Sequence, residues 1–258
     1  GVKLYEGHLT LGSSDNPTIT NTDIAYFDNS VSGDEDIFYN VDAGNDFTLC
    51  ATTGCFASRL LVQSGTIYRP DSASSGNVTA RNIQIDGTLV ADGNSFFVSG
   101  SWKNNSIFTA NTSTVVFTAT STAETIDSST AATSTFYAVT FGQTSGAATW
   151  TLSSDLLASS TLAINFGTLA QSNRAIVLSG NLSFGVSGAF TKGTGTTTFM
   201  GAGSNTWTDS TVAKQDLGEV VIDGSAKTIA LGSGVKATNI TIGSDEIGRA
   251  SCRERVSS

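Results

Sequence analysis

Three stretches of this chain read as one template: Val78-Thr-Ala-Arg-Asn-Ile83-Gln-Ile85-Asp86, Leu157-Ala-Ser-Ser-Thr-Leu162-Ala-Ile164-Asn165 and Val235-Lys-Ala-Thr-Asn-Ile240-Thr-Ile242-Gly243. They recur roughly every 80 residues. Other landmarks keep their order between the first two copies. Gly87-Thr-Leu-Val90 returns as Gly167-Thr-Leu-Ala170, and Val98-Ser-Gly-Ser-Trp102 as Leu178-Ser-Gly-Asn-Leu182. Phe108 to Phe117 returns as Phe190 to Phe199, and Phe136-Tyr-Ala-Val139 as Leu217-Gly-Glu-Val220, with an earlier echo at Phe38-Tyr-Asn-Val41. A single coil within such a copy cannot bury its own apolar face, so only stacking against neighbouring coils closes a core.

Within a copy the local signal is β. Asn82-Ile-Gln-Ile85, Thr161-Leu-Ala-Ile164, Ala175-Ile-Val-Leu178 and Asn239-Ile-Thr-Ile242 alternate branched apolar residues with smaller or polar ones. Each stretch ends on Gly, Asn, Asp or Ser, and none carries a helical apolar stripe. Strand-like stretches recur about every 10 to 13 residues, a spacing that suits a parallel β-solenoid and also antiparallel sandwich or barrel repeats. The long super-repeat, only 2 prolines, and turns of Gly, Asn and Ser favour the all-β parallel β-helix. In that fold Ile83 and Ile85 face inward and Gln84 faces water. Aspartate is then expected to be ruinous at Ile164 and nearly silent at Gln84.

Charged residues are 14% of the 258, and 27 glycines sit among many Ser and Thr, a mixture that also occurs in disordered linkers. Hydrophobic residues at 39%, with 14 Phe, supply the apolar surface that such linkers lack, so the chain is expected to fold. A net charge of -9 with thin, scattered Lys and Arg excludes phosphate-dominated nucleic-acid binding. The same deficit disfavours attraction to an anionic bilayer, and no apolar run is long enough to insert in a membrane.

With Gly1 first and Met200 the only methionine, the sequence is expected to be a segment of a longer protein. Glu246-Ile-Gly-Arg-Ala-Ser-Cys-Arg-Glu-Arg-Val256 abandons the Thr/Gly/Ile pattern and resembles the translation of a common short-read sequencing adapter. Residues 246 to 258 are therefore read as a non-native tail on a metagenomic fragment. Setting them aside takes the balance from 13 basic and 22 acidic residues to 10 and 20. The remainder divides into less regular N-terminal coils over 1 to 50 and solenoid repeats over 51 to 245.

Outside the tail, Cys50 and Cys55 fit a small disulfide in a Gly-containing loop, or two free buried thiols. Two cysteines and a distant His8 make too small a ligand set for a metal site. Asp28, Asp34, Glu35, Asp36, Asp42 and Asp46 have the hard oxygens that calcium needs, but lack the full loop pattern, and read as a solvated acidic loop. Later acids stand apart: Asp86, Asp92, Glu124, Asp127, Asp155, Asp209, Asp216, Glu219 and Asp223. Sugar hydrolysis requires a carboxylate pair at a defined separation, and no spacing here supplies one. One histidine leaves no nucleophile and base system, and Thr191-Lys-Gly-Thr-Gly-Thr196 is a turn rather than a phosphate loop. Trp102, Trp150 and Trp207 would stack on sugars only if exposed, and Trp102 aligns with Leu182, a position expected to be core or half-buried. The Thr194 to Thr198 run suggests an ice-binding Thr lattice, which needs Thr-x-Thr in register on successive coils. The Asn-x-Ser/Thr triplets at Asn77, Asn104 and Asn111 are expected by chance in so Ser/Thr-rich a chain.

The motifs Thr-Leu-x-Ile, Gly-Thr-Leu, Val/Leu-Ser-Gly-Asn/Ser, Phe-Thr-x-x-Thr/Ser-x-Thr-x-x-Phe and Phe-Tyr-x-Val-Thr resemble the repeats of large bacterial surface proteins with β-helical stalks, including adhesin-like and haemagglutinin-like repeats. The resemblance spans 78 to 245 and, more weakly, 36 to 77. It implies export to the cell surface or medium, an elongated shape, and contact with glycans or other cell-surface molecules. The expectation is an extracellular structural or adhesive segment without catalytic, cofactor or metal residues; the alternative is a carbohydrate-active β-helix enzyme such as a polysaccharide lyase or glycosidase. Cuts through a repeating array also lead one to expect end-to-end association.

Overall fold

Alternation of apolar and small polar residues makes each short stretch a strand with one wet and one dry side, and parallel pairing along the chain stacks the dry sides. The computed structural model describes short strands between Leu4 and Arg69, and residues 78 to 243 apart from 122, 129 to 133 and 144. Among the described residues there is no helix, and every registered strand pair is parallel. The chain is a β-solenoid of about eight turns.

Three walls follow one another around each turn. The first is built from Val78–Ala80, Ser95–Val98, Thr114–Phe117, Phe136–Phe141, the middle of Leu156–Ala170, the start of Asn181–Thr191, Gly203–Asp209 and Lys227–Leu231. Its register sets Val78, Phe96, Val115, Val139, Leu162, Leu182, Trp207 and Leu231 one over another. A second inward row runs Ala80, Val98, Phe117, Phe141, Ile164, Phe184. The second wall stacks Leu60, Ile83, Trp102, Ile126 and Leu152, and beside them Glu124, Trp150, Leu169 and Phe190. The third carries Leu89 over Tyr68 and Phe108 over Leu89 in its lower part, and Leu156, Ile176, Thr197, Val220 and Ile240 in its upper part. Phe136 joins the two parts, its ring 5.6 Å from Phe108 and its backbone paired with Ala158.

Partners on the first wall lie between 18 and 25 residues apart, so turns differ in length. The three copies of the sequence template consequently land on different walls. Ile83 and Ile85 lie on the second, Leu162 and Ile164 on the first, and Ile240 and Ile242 on the third. What recurs is the local alternation of in and out, not a position around the section. Strands Leu4–Tyr5, Thr18–Ile19, Ala25–Asp28 and Phe47–Leu49 pair in the same parallel scheme.

Corners are made in two ways. Ala91 to Asn94 and Ala110 to Ser113 are matching turns, closed by Asn94 N to Ala91 O at 3.2 Å and Ser113 N to Ala110 O at 2.9 Å. Their second residues, Asp92 and Asn111, take φ of 51° and 48°, the left-handed region that short polar side chains tolerate best after glycine. Leu156–Ala170 instead bends around three walls without leaving the strand. It does so at Gly167, φ 71°, where a Cβ would sit 2.5 Å from the Ala148 carbonyl and 2.8 Å from the Trp150 ring. Only glycine lets the backbone pass there.

The bore is filled by aromatic rings. Phe117 and Phe141 stack at 4.8 Å, Phe141 meets Trp150 at 5.3 Å, and Trp102 packs on Phe108 at 5.0 Å and on Phe136 at 5.3 Å. Each fully buried Val, Leu, Ile or Phe is worth roughly 1.5–3 kcal/mol, so several per turn offset the ordering cost of a Thr-rich chain. Ile164 is fully buried between Phe141 and Phe184. Ile164→Asp is expected to lower stability by at least about 3 kcal/mol in a denaturant titration, because it leaves a cavity and an unpaired buried carboxylate. Gln84 faces outward, but its amide donates to Asp86 at 2.7 Å, so an aspartate there adds carboxylate repulsion that the sequence did not reveal. Gln84→Ala is the clean outward control and is expected to stay within about 0.5 kcal/mol of the parent.

Candidate functional site

The outer walls carry the polar chemistry, and most of their acids are occupied in holding turns together. Asn105 Nδ2 donates to Asp86 Oδ1 at 2.6 Å, Asn111 Nδ2 to Asp92 Oδ1 at 3.0 Å, and Asn239 Nδ2 to Glu219 Oε1 at 2.8 Å, each from one turn to the next. Ser101 Oγ donates to Glu124 at 2.6 Å, and the Ala175 amide to Asp155 at 2.9 Å. These carboxylates are spaced along different walls and engaged with amides and hydroxyls. Among the described residues no group of three His, Cys, Asp or Glu side chains gathers as a metal site would require.

Two acids sequence reading treated as ordinary have particular places. Asp209 continues the inward row above Phe184 and is fully buried. Its Oδ1 accepts from the Thr211 amide at 2.9 Å and the Thr211 hydroxyl at 2.5 Å, and its Oδ2 from the Gln215 amide at 2.6 Å. Lys214 Nζ closes the same loop on the carbonyls of Asp209 and Thr211, both at 2.7 Å. A buried carboxylate satisfied in this way caps the aromatic row and shapes the 210 to 216 loop. Its signal was its phase: in Thr206-Trp207-Thr208-Asp209, Asp209 shares the inward side with Trp207.

Asp216 lies on the surface, where Lys192 Nζ donates to its Oδ2 at 2.7 Å and also to Thr238 Oγ1 at 2.7 Å, linking three turns. The Lys192 bond and the Gly218 amide hold the Asp216 carboxyl below its ordinary range. A depressed folded-state value means that the stabilisation is complete above the ordinary aspartate range and is lost as pH falls through the folded value. Lys192→Met is expected to cost less than about 1 kcal/mol at neutral pH, and its deficit should shrink on acidification; urea titrations at several pH values measure this.

The remaining candidates are placed as follows. Trp102, Trp150 and Trp207 are at most 2% exposed, inside the bore, so none offers a face to a sugar. Their emission should be blue-shifted and nearly immune to acrylamide quenching until the chain unfolds. Thr191 closes one strand and Thr196 opens the next, with Gly193 and Gly195 passing against the carbonyls of Ser172 and Arg174, as a turn requires. The Thr-x-Thr units fall on three different walls: Thr149 and Thr151 on the second, Thr196 and Thr198 on the third, Thr206 and Thr208 on the first. They do not stack as a lattice. His8, Cys50, Cys55 and the acidic side chains from Asp28 to Asp46 lie outside the described residues, as does the 246 to 258 tail. Among the described residues no helix is long and apolar enough to cross a membrane.

The first wall has the plainest outer face. Phe97, Val116, Thr140, Ala163, Ser183 and Thr208 stack in one outward row, in which Val116 and Ala163 are largely covered, with Ser95, Thr114, Ala138, Thr161, Asn181 and Thr206 beside them. No charged side chain interrupts either row over these six turns. Comparison of the chain with protein-family models, with curated proteins and with solved structures finds no match.

Proposed function

We propose that this chain is a segment of an extracellular structural or adhesive β-solenoid, acting as a spacer whose first wall touches glycans or other cell-surface molecules. The observation that carries the reading is the employment of most of the acids: six of the nine between residues 78 and 243, Asp86, Asp92, Glu124, Asp155, Asp216 and Glu219, accept from amides, hydroxyls or Lys192 of a neighbouring turn. Side chains used in this way lock successive turns in register, which is what a stiff spacer needs. A glycosidase needs two carboxylates free to exchange protons with a sugar in a shared cleft. The uncharged outer rows of the first wall support contact with a neutral, extended surface, since no charge must be desolvated there.

A glycan array probed with the chain lacking residues 246 to 258 tests the reading, with polysaccharide degradation measured in parallel. The expected result is binding to neutral glycans without degradation, abolished by Thr140→Lys with Thr208→Lys while the melting temperature holds. Degradation of any polysaccharide by the pure chain overturns it, as does glycan binding that ignores the paired first-wall variants.

A further inference from the structure

Lys227 opens its strand at the corner between the third and first walls, where its backbone pairs with Gly203 of the preceding turn. It is only 5% exposed, an expensive place for an ammonium group. Its side chain reaches across two turns: Nζ donates to the Ser179 carbonyl at 3.1 Å and to Oδ1 of Asn205. Burial pushes the Lys227 ammonium below the ordinary lysine range, which raises the share of neutral amine. The Lys227 amine and the Asn205 carboxamide are the two reactants of an amide exchange, and Nζ lies within hydrogen-bonding reach of the Asn205 side chain.

We propose that Lys227 and Asn205 join in a covalent isopeptide bond between adjacent turns. The Nζ ammonium first gives up one proton to solvent, and its lone pair then attacks Asn205 Cγ, forming the Nζ–Cγ bond. The Cγ–Nδ2 bond then breaks, a proton passes from Nζ to Nδ2, and ammonia leaves. Nothing is oxidised or reduced and no co-reactant enters. The Ser179 carbonyl, already an acceptor for Nζ, orients the amine during attack and accepts the one N–H left on the product amide. The product is uncharged, so the cost of a buried ammonium disappears. The bond also ties turns where the apolar columns are least covered: Leu231, Ile240 and Ile242 are 57%, 53% and 42% exposed.

Intact-mass spectrometry of the full chain, followed by tryptic mapping after unfolding, tests the proposal. The expected mass is about 17 Da below that of the sequence, the loss of one ammonia. Cleavage after Lys227 is blocked, and tandem spectra show the peptide 193 to 214 linked to 215 to 236. Lys227→Met, which keeps most of the stem, and Asn205→Ala should each restore the unlinked mass. A chain at full sequence mass that trypsin cuts after Lys227 overturns the proposal. So does a loss of the same mass without linked peptides, which is cyclisation at an asparagine instead.

Discussion

Everything in this molecule depends on parallel register between successive turns. Each turn brings a few inward residues, such as Phe96 with Val98 or Leu182 with Phe184, that have no core of their own. Register places them over the inward residues of the turn below, so the hydrophobic effect acts along the axis rather than within a unit. A slip of one residue would turn Ile164 outward and Ala163 inward, exchanging a fully buried branched side chain for a methyl group. The alternation in the sequence therefore fixes stacking as strongly as it fixes strand formation.

Against that constraint the outer surface is secondary but ordered. Asn105 on Asp86, Asn111 on Asp92 and Asn239 on Glu219 are bonds between neighbouring turns, each spanning 19 or 20 residues of chain. They add specificity to the register while leaving the two outer rows of the first wall free of charge. Few of the exposed bonds count for much alone, since solvent competes for each. Together they explain where a sparse set of acids goes in a chain with so little other charge.

The upper turns show how polar groups enter such a core. Asp209 takes a place in an aromatic row because a loop folds back to satisfy both its oxygens, and Lys227 enters a corner because Asn205 and Ser179 receive it. Turn length varies along the axis: 25 residues separate Leu182 from Trp207, and 24 separate Trp207 from Leu231, the turn that holds the 210 to 216 loop. This variation breaks the correspondence between sequence repeat and wall position, and it places the like-sounding Ile83, Leu162 and Ile240 on three different faces.

By itself the sequence determined the strand content, the side each strand shows to the core, the burial of Trp102 and the stacking of many small units. Those properties follow from local alternation and from the shortage of apolar residues per unit. Tertiary structure alone decided which residues meet across turns: the wall on which each strand lies, the partners of Asp86 and Asp216, the uncharged rows of the first wall, and the burial of Lys227. The reason is physical. Turn length varies by several residues, and a contact between turns depends on the accumulated length of every loop in between, which no local pattern encodes.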